Sequence, residues 1–332
     1  MRDSRRRRFW LWLVLVCLWA WLLPPAVTLA QVAPPVPAPA EKKEEAPTTC
    51  GPLISDTCIP IEAHHLTMQL TGAYSIYQSN FSPNWRRVSL GGDFSTFYMP
   101  FKVTYGPTKN LETYLIVPFI ANFASSVSPD FNGSTSSSYS GIGDISWFFK
   151  YLLLEETEAR PAVTGVLGMG FPSGHASHLN PRFFGTDAVG TGAFTFTTGF
   201  NFYKWLKPFL VYSNLWLSSP VNLYEDNASH NNVRSREYVT FNLAAEYPLS
   251  KRFVVLVEAY STWTWTNMTS QGIPIPQGYQ SPYTKMGILT GLEFLATDKW
   301  SVAAGCAFDL YGKGPSSAPA WFTPMVTTIY SF

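Results

Sequence analysis

The stretch GTGAFTFTTGFNFYKWLKPFLVYSNLWL, residues 190–217, decides the fold. Phe194, Phe196, Phe200 and Phe202 fall on one side of an extended chain, and Ala193, Thr195, Thr197, Gly199 and Asn201 on the other. Lys204-Trp205-Leu206 then separates this run from a second one over 207–217. Strand side chains alternate between two faces, so each run has one bulky apolar face and one small or polar face. Two such runs joined by a short turn read as a hairpin.

The pattern repeats along the chain. Val163, Gly165, Leu167, Met169 and Phe171 alternate with Ala162, Thr164, Val166, Gly168 and Gly170, and residues 238–247 behave the same way. Twelve segments emerge, at about 66–78, 95–106, 110–123, 142–154, 160–171, 190–203, 207–217, 235–247, 252–265, 284–295, 299–311 and 320–332. The gaps alternate between short ones, such as Gly106-Pro107 and Thr297-Asp298, and long ones at 79–94, 124–141, 172–189, 218–234 and 266–283. Such sorting is the mark of a membrane barrel with tight periplasmic turns and long external loops. The expected fold is therefore all-β: a transmembrane antiparallel up-and-down β-barrel of about 12 strands over 65–332.

Composition agrees. The 332 residues are 14% charged and 16% aromatic, whereas soluble domains carry about 25% charged residues. This excludes a disordered chain. With 23 basic against 22 acidic residues there is no excess to neutralise phosphates, so no nucleic-acid partner is expected. After residue 30 no apolar run approaches the roughly 20 residues of a spanning helix. Outer-membrane lipid is the expected partner of the apolar face.

Residues 1–30 read as a signal peptide: Arg2 and Arg5 to Arg8, then 15 apolar residues from Phe9 to Leu23, then Thr28 and Ala30 before a cut at Gln31. Export to the outer membrane leaves 18 basic and 21 acidic residues, a net charge of −3. Residues 31–49, rich in proline and charge, read as a flexible tether. Composition explains them as a linker; a periplasmic or cell-wall partner is the alternative. In CGPLISDTC, Cys50 and Cys58 flank seven residues, and in an oxidising periplasm they are expected to pair across a periplasmic segment 50–64. Cys306 is left over as a small apolar residue.

SGIGDISWFFKYLLLEE (140–156) and RPAVTGVLGMGFPSG (160–174) resemble the hallmark of the outer-membrane family named after the meta-pathway of phenol degradation. The matching positions are Gly141, Gly143, Asp144, Lys150, Tyr151, Arg160, Pro161, Ala162, Pro172 and Gly174. The resemblance covers about 66–332 and implies a barrel transporter near pathways for aromatic compounds. The terminal strand, with Tyr330 and Phe332, resembles the signal read by the barrel-assembly machinery, a further expected partner.

Alternation points Lys102, Glu112, Asp144, Lys150, Glu246, Glu258, Lys285, Glu293 and Asp309 into the lumen. They either tune what passes or neutralise one another and hold the barrel shut; the sequence leaves both readings open. Gly141 and Gly143 read as entry-turn or bulge glycines. His175, His178 and His64-His65 lack a neighbouring cysteine or carboxylate set, so no metal is expected. No catalytic triad or paired-carboxylate motif appears, so neither an enzyme nor a cofactor is expected. The resulting reading is a channel for small, aromatic or hydrophobic molecules. The competing one is a closed barrel serving as a scaffold or protein-interaction anchor.

Overall fold

The computed structural model describes residues 47–332 apart from 48, 50, 83, 127–134, 224–234, 265–282 and 314–317. The signal peptide, most of the tether and Cys50 lie outside the described residues.

Thirteen strands are present among the described residues: β1 (Leu66–Phe81), β2 (Arg87–Thr108), β3 (Leu111–Ser125), β4 (Ser137–Ile142), β5 (Ile145–Leu154), β6 (Ala162–Phe171), β7 (Ala193–Leu206), β8 (Phe209–Asn222), β9 (Tyr238–Pro248), β10 (Phe253–Thr264), β11 (Thr284–Leu295), β12 (Trp300–Lys313) and β13 (Ala318–Ser331). Each strand pairs antiparallel with its neighbours, and β1 pairs with both β13 and β2. The ladder is a closed ring, which leaves no free edge to satisfy in lipid.

β4 and β5 both pair with β3 and form one stave interrupted at Gly143-Asp144. The barrel therefore has twelve staves. At the break, Gly143 N–H donates to Pro118 O at 2.8 Å. A Cβ on Gly143 would lie 2.7 Å from Ile120 Cδ1 and 3.2 Å from Val189 O, so a larger residue here would have to displace the Ile120 side chain.

The sequence expectation and the structure part over 79–94. That span is not a long loop: β1 runs to Phe81, which pairs with Arg87, and just beyond that pair Ser82 N–H donates to Arg86 O at 2.7 Å. β2 is 22 residues long, roughly 70 Å at strand rise, more than twice the height of a membrane's apolar band. Outside lipid the bulky alternation is no longer required, and Ser89, Gly91, Gly92 and Asp93 hide the strand from an apolar pattern.

The start of β1 and the end of β13 meet at the short-turn end, where Phe332 N–H donates to Leu66 O at 2.9 Å. Tyr330 and Phe332 pack edge to face there, with ring centroids 4.9 Å apart. The outer surface is apolar: Leu70, Phe101, Leu115, Trp147, Leu215 and Val326 are all exposed. Lys150, Glu112, Glu246, Glu258 and Glu293 are instead fully buried on the inner face. This inverts a soluble protein's arrangement, as lipid requires. Among the aromatics, Trp147, Tyr151, Tyr247, Trp300 and Tyr330 stand outward and exposed. Tyr98 and Trp216 line the interior, and Trp321 packs on buried Tyr77 at 4.9 Å.

Candidate functional site

The interior is organised around the segment 51–64, the sequence immediately before β1. It lies inside the barrel rather than standing apart from it. The chain enters beside the first short turn, where His64 N–H donates to Gly106 O at 2.6 Å. An irregular chain has no ladder of its own, so the wall must supply partners for its peptide groups.

It does so at each step. Ile61 N–H donates to Glu112 Oε2 at 2.9 Å, and the Thr164 hydroxyl to Cys58 O at 2.6 Å. Thr57 O accepts from Lys150 Nζ and Asn201 Nδ2, both at 2.9 Å. Asn214 makes a two-way clasp with Asp56, accepting from its N–H at 2.8 Å and donating to its carbonyl at 2.9 Å. Glu258 receives the N–H groups of Leu53 and Ser55 at 2.6 and 2.7 Å, and that of Ile54 at 3.0 Å. Hydrogen bonds to a charged acceptor are worth about 1.5–3 kcal/mol each. Apolar contacts add to them: Cys58 packs among Ala162, Leu210, Ala244, Tyr203 and Tyr212, and Leu53 against Leu256, Leu289 and Ala307.

The Asp56 side chain is the centre of charge. Its carboxylate lies 3.4 Å from Lys150 Nζ and 3.5 Å from Lys102 Nζ. It also accepts from Asn201 Nδ2 at 2.9 Å and from the Tyr114 hydroxyl at 3.3 Å. Burial by itself would raise its pKa, but Lys150 and Lys102 outweigh that and hold it below the usual 3.8. Lys150 also meets Glu112 Oε1 at 2.8 Å. Two lysines thus balance two carboxylates.

Of the sequence candidates, Lys102, Glu112 and Lys150 join this network, and Glu258 holds the segment's backbone. Lys285 and Asp309 pair separately at 3.0 Å, and Asp309 also accepts from the Tyr260 hydroxyl at 2.9 Å and Trp321 N–H at 2.8 Å. Glu246 on β9 accepts from the Tyr212 hydroxyl at 3.2 Å; Glu293 is buried on β11, two strands away. Asp56, Asn201, Asn214 and Tyr114 were not singled out in the sequence. Asparagines at inward positions in mid-strand were the available signal, because a buried amide needs a partner.

Asp144 is the exception to the lumen expectation. It sits in the β4–β5 break and accepts from Gly174 N–H at 2.9 Å, Thr191 N–H at 2.8 Å and the Thr191 hydroxyl. Ser173 adds a hydroxyl bond to Gly143 O at 2.9 Å. The carboxylate therefore ties down the two ends of the 172–192 loop instead of lining a path. Gly174 and Gly190 cross so closely that a Cβ on Gly174 would lie 2.7 Å from Gly190 Cα. The motif residues Gly143, Asp144 and Gly174 are thus one structural knot. Tyr151, also in the motif, stands exposed on the outer face.

Cys58 is a free thiol, and its expected partner Cys50 lies outside the described residues. The Cys58 Sγ is 3.3 Å from both Thr164 Oγ1 and Asn201 O, and burial pushes its pKa up to about 11. Among the described residues, no group of His, Cys, Asp and Glu is arranged to hold a metal ion.

Beside the segment runs a cavity of about 1100 Å³. It starts near Lys251, Arg252 and Lys299 at the short-turn end and reaches Tyr98, Phe148 and Trp216 inside. Tyr114 stacks on Phe148 with centroids 5.0 Å apart, and Phe148 on Trp216 at 5.7 Å. Lys102 Nζ lies 4.0 Å from the Tyr114 ring centroid. The cavity thus offers flat apolar faces beside ammonium groups.

Residues 75–315 match the family model described as "Putative MetA-pathway of phenol degradation". No curated protein matches the sequence. The crystal structure of the COG4313 outer membrane channel from Pseudomonas putida F1 superposes with a TM-score of 0.65 at 12% identity, covering 85% of this chain and 100% of that one. The likeness is one of fold. The translocator domain of the autotransporter NalP from Neisseria meningitidis reaches a TM-score of 0.43 at 12% identity, covering 81% and 88%.

Proposed function

The chain belongs to this phenol-degradation family, and on that premise we propose that it is an outer-membrane channel for small aromatic or hydrophobic molecules, exported by a cleaved signal peptide. The observation that carries the reading is the cavity of about 1100 Å³ between the wall and the inner segment. Its rings, Tyr98, Tyr114, Phe148 and Trp216, suit a planar apolar cargo, because offset ring stacking is favourable by roughly 0.5–1.5 kcal/mol. Lys102 supplies a charge that could select by sign. The wall conducts rather than catalyses in this reading.

A second reading has its own observation. Lys102, Lys150, Glu112 and Asp56 form a charge-balanced network in which Lys150 and Glu112 are fully buried, which favours a barrel held shut and used as a scaffold. Flux of aromatic acids and small sugars into liposomes holding the purified full-length protein separates the two. Faster entry than into empty liposomes supports the channel. No entry of any solute, with folding verified by heat-dependent gel mobility, leaves the scaffold.

A further inference from the structure

The Asp56 carboxylate is held as a ligand would be held. Four donors from three wall strands and the neighbouring β2 converge on it: Lys150 on β5, Tyr114 on β3, Asn201 on β7 and Lys102 on β2. None belongs to the segment that carries Asp56. The donors would therefore stay in place if the segment left.

The charge balance defines what could take its place. With Asp56 present, Lys102 and Lys150 are matched by Asp56 and Glu112. Without it, the same cluster has one uncompensated positive charge. Lys150 keeps Glu112, so the leftover charge falls on Lys102, whose side chain is only partly exposed; an unpaired charge with little access to water is costly, so the vacated position favours one monovalent anion. The flat surroundings define the rest of that anion. Tyr114, whose hydroxyl donates to Asp56, belongs to the stack that continues through Phe148 and Trp216 along the cavity. The aspartate side chain has only one methylene, so it leaves the stack to other groups.

We propose that the wall of this barrel carries a binding site for an aromatic monocarboxylate, and that Asp56 occupies it as an intramolecular stand-in. The proposal deepens the channel reading by naming a cargo class and a closed state. Incoming carboxylate competes with Asp56 for Lys102, Lys150, Asn201 and Tyr114. Winning that competition weakens the hold on residues 53–58 and widens the path. A ligand that must displace a built-in competitor binds more weakly by the fraction of time the site is free. Removing the competitor removes that penalty.

The test uses the purified full-length protein in detergent, with folding checked by heat-dependent mobility, and benzoate as the probe. Benzyl alcohol is the uncharged control. Isothermal titration should show D56N and D56A binding benzoate about tenfold or more tighter than the unaltered protein. Affinity for benzyl alcohol should move by less than about twofold, since it lacks the charge that the lysines recognise. Adding K102A to D56A should remove most of the gain. No gain in either variant overturns the proposal, as does an equal gain for the alcohol or a gain that survives K102A. Should both Asp56 variants fail to fold, the unaltered protein still decides. Benzoate should accelerate amide hydrogen exchange across residues 53–58 and benzyl alcohol should not; unchanged exchange overturns it. Binding is read without flux, so tighter binding by D56A in a barrel that passes nothing would sink the channel reading and leave the site standing.

Discussion

Glu112 on β3 and Lys150 on β5 are directly opposed across one ladder, and their side chains meet at 2.8 Å inside the barrel with no exposure to solvent. The pair forms the wall's half of a cluster whose other half is Asp56. Removing Lys150 would leave buried Glu112 without its cation and Asp56 with Lys102 alone, and breaking a buried pair from one side costs about 3–5 kcal/mol. Lys150→Ala is expected to lower the temperature at which the folded gel band disappears, and Glu112→Gln in the same chain to recover part of it. A K150A barrel as heat-resistant as the unaltered protein would show that the cluster contributes nothing to stability.

Glu258 anchors three consecutive peptide N–H groups at Leu53, Ile54 and Ser55. Glu258→Ala removes all of these bonds while leaving the β9–β10–β11 ladder intact, because the ladder is backbone. Amide exchange at 53–55 should rise by at least about tenfold, given charge-assisted bonds of about 1.5–3 kcal/mol each. Solute entry into liposomes should rise with it. Faster exchange with unchanged entry would mean that the segment does not restrict the path.

Asp144→Ala should loosen the 172–192 loop, since the carboxylate holds Gly174 and Thr191 at its two ends. Limited proteolysis is expected to cut within 175–190 about tenfold faster or more, from the loss of roughly 2 kcal/mol or more of charged hydrogen bonding. The heat-resistant band should persist, because the break in the β4–β5 stave already lies outside the regular ladder. Unaltered cleavage would show the loop is held elsewhere.

Cys58 offers a pH readout. Its thiol is pushed up to about 11 from 9.0 by burial, and the thiolate is the reactive form. The folded protein should resist maleimide at pH 8, and urea-unfolded protein should label fully without reductant. A reductant requirement would instead reveal the link to Cys50. The raised folded-state value favours the protonated thiol, so its contribution to stability is present below pH 9.0 and falls as pH rises toward 11.

The alternation in residues 190–217 and the short–long gap sorting point to a twelve-stave barrel, because lipid outside and polar groups inside act on every second residue. The inward placement of Glu112, Lys150 and Glu258 followed from the same period. Distances did not follow. Alternation assigns a side of the wall, but register and closure decide which inward groups meet, as Glu112 and Lys150 do across β3–β5. Asp144 misled for a related reason: it sits in a two-residue break where the period no longer holds.

By itself the sequence determined the barrel and, within regular strands, which charges face inward, both consequences of a local rule repeated along each strand. Only the tertiary structure decided what fills the interior. Residues 51–64 have no period to read, and CGPLISDTC carries a strong alternative reading as a disulfide loop. Their position depends on the convergence of Glu258, Asn214, Asn201 and Lys150 from strands up to 205 residues away along the chain. That convergence exists only once the ring has closed, because the cost of burying an irregular backbone is offset by partners that the closed wall brings together.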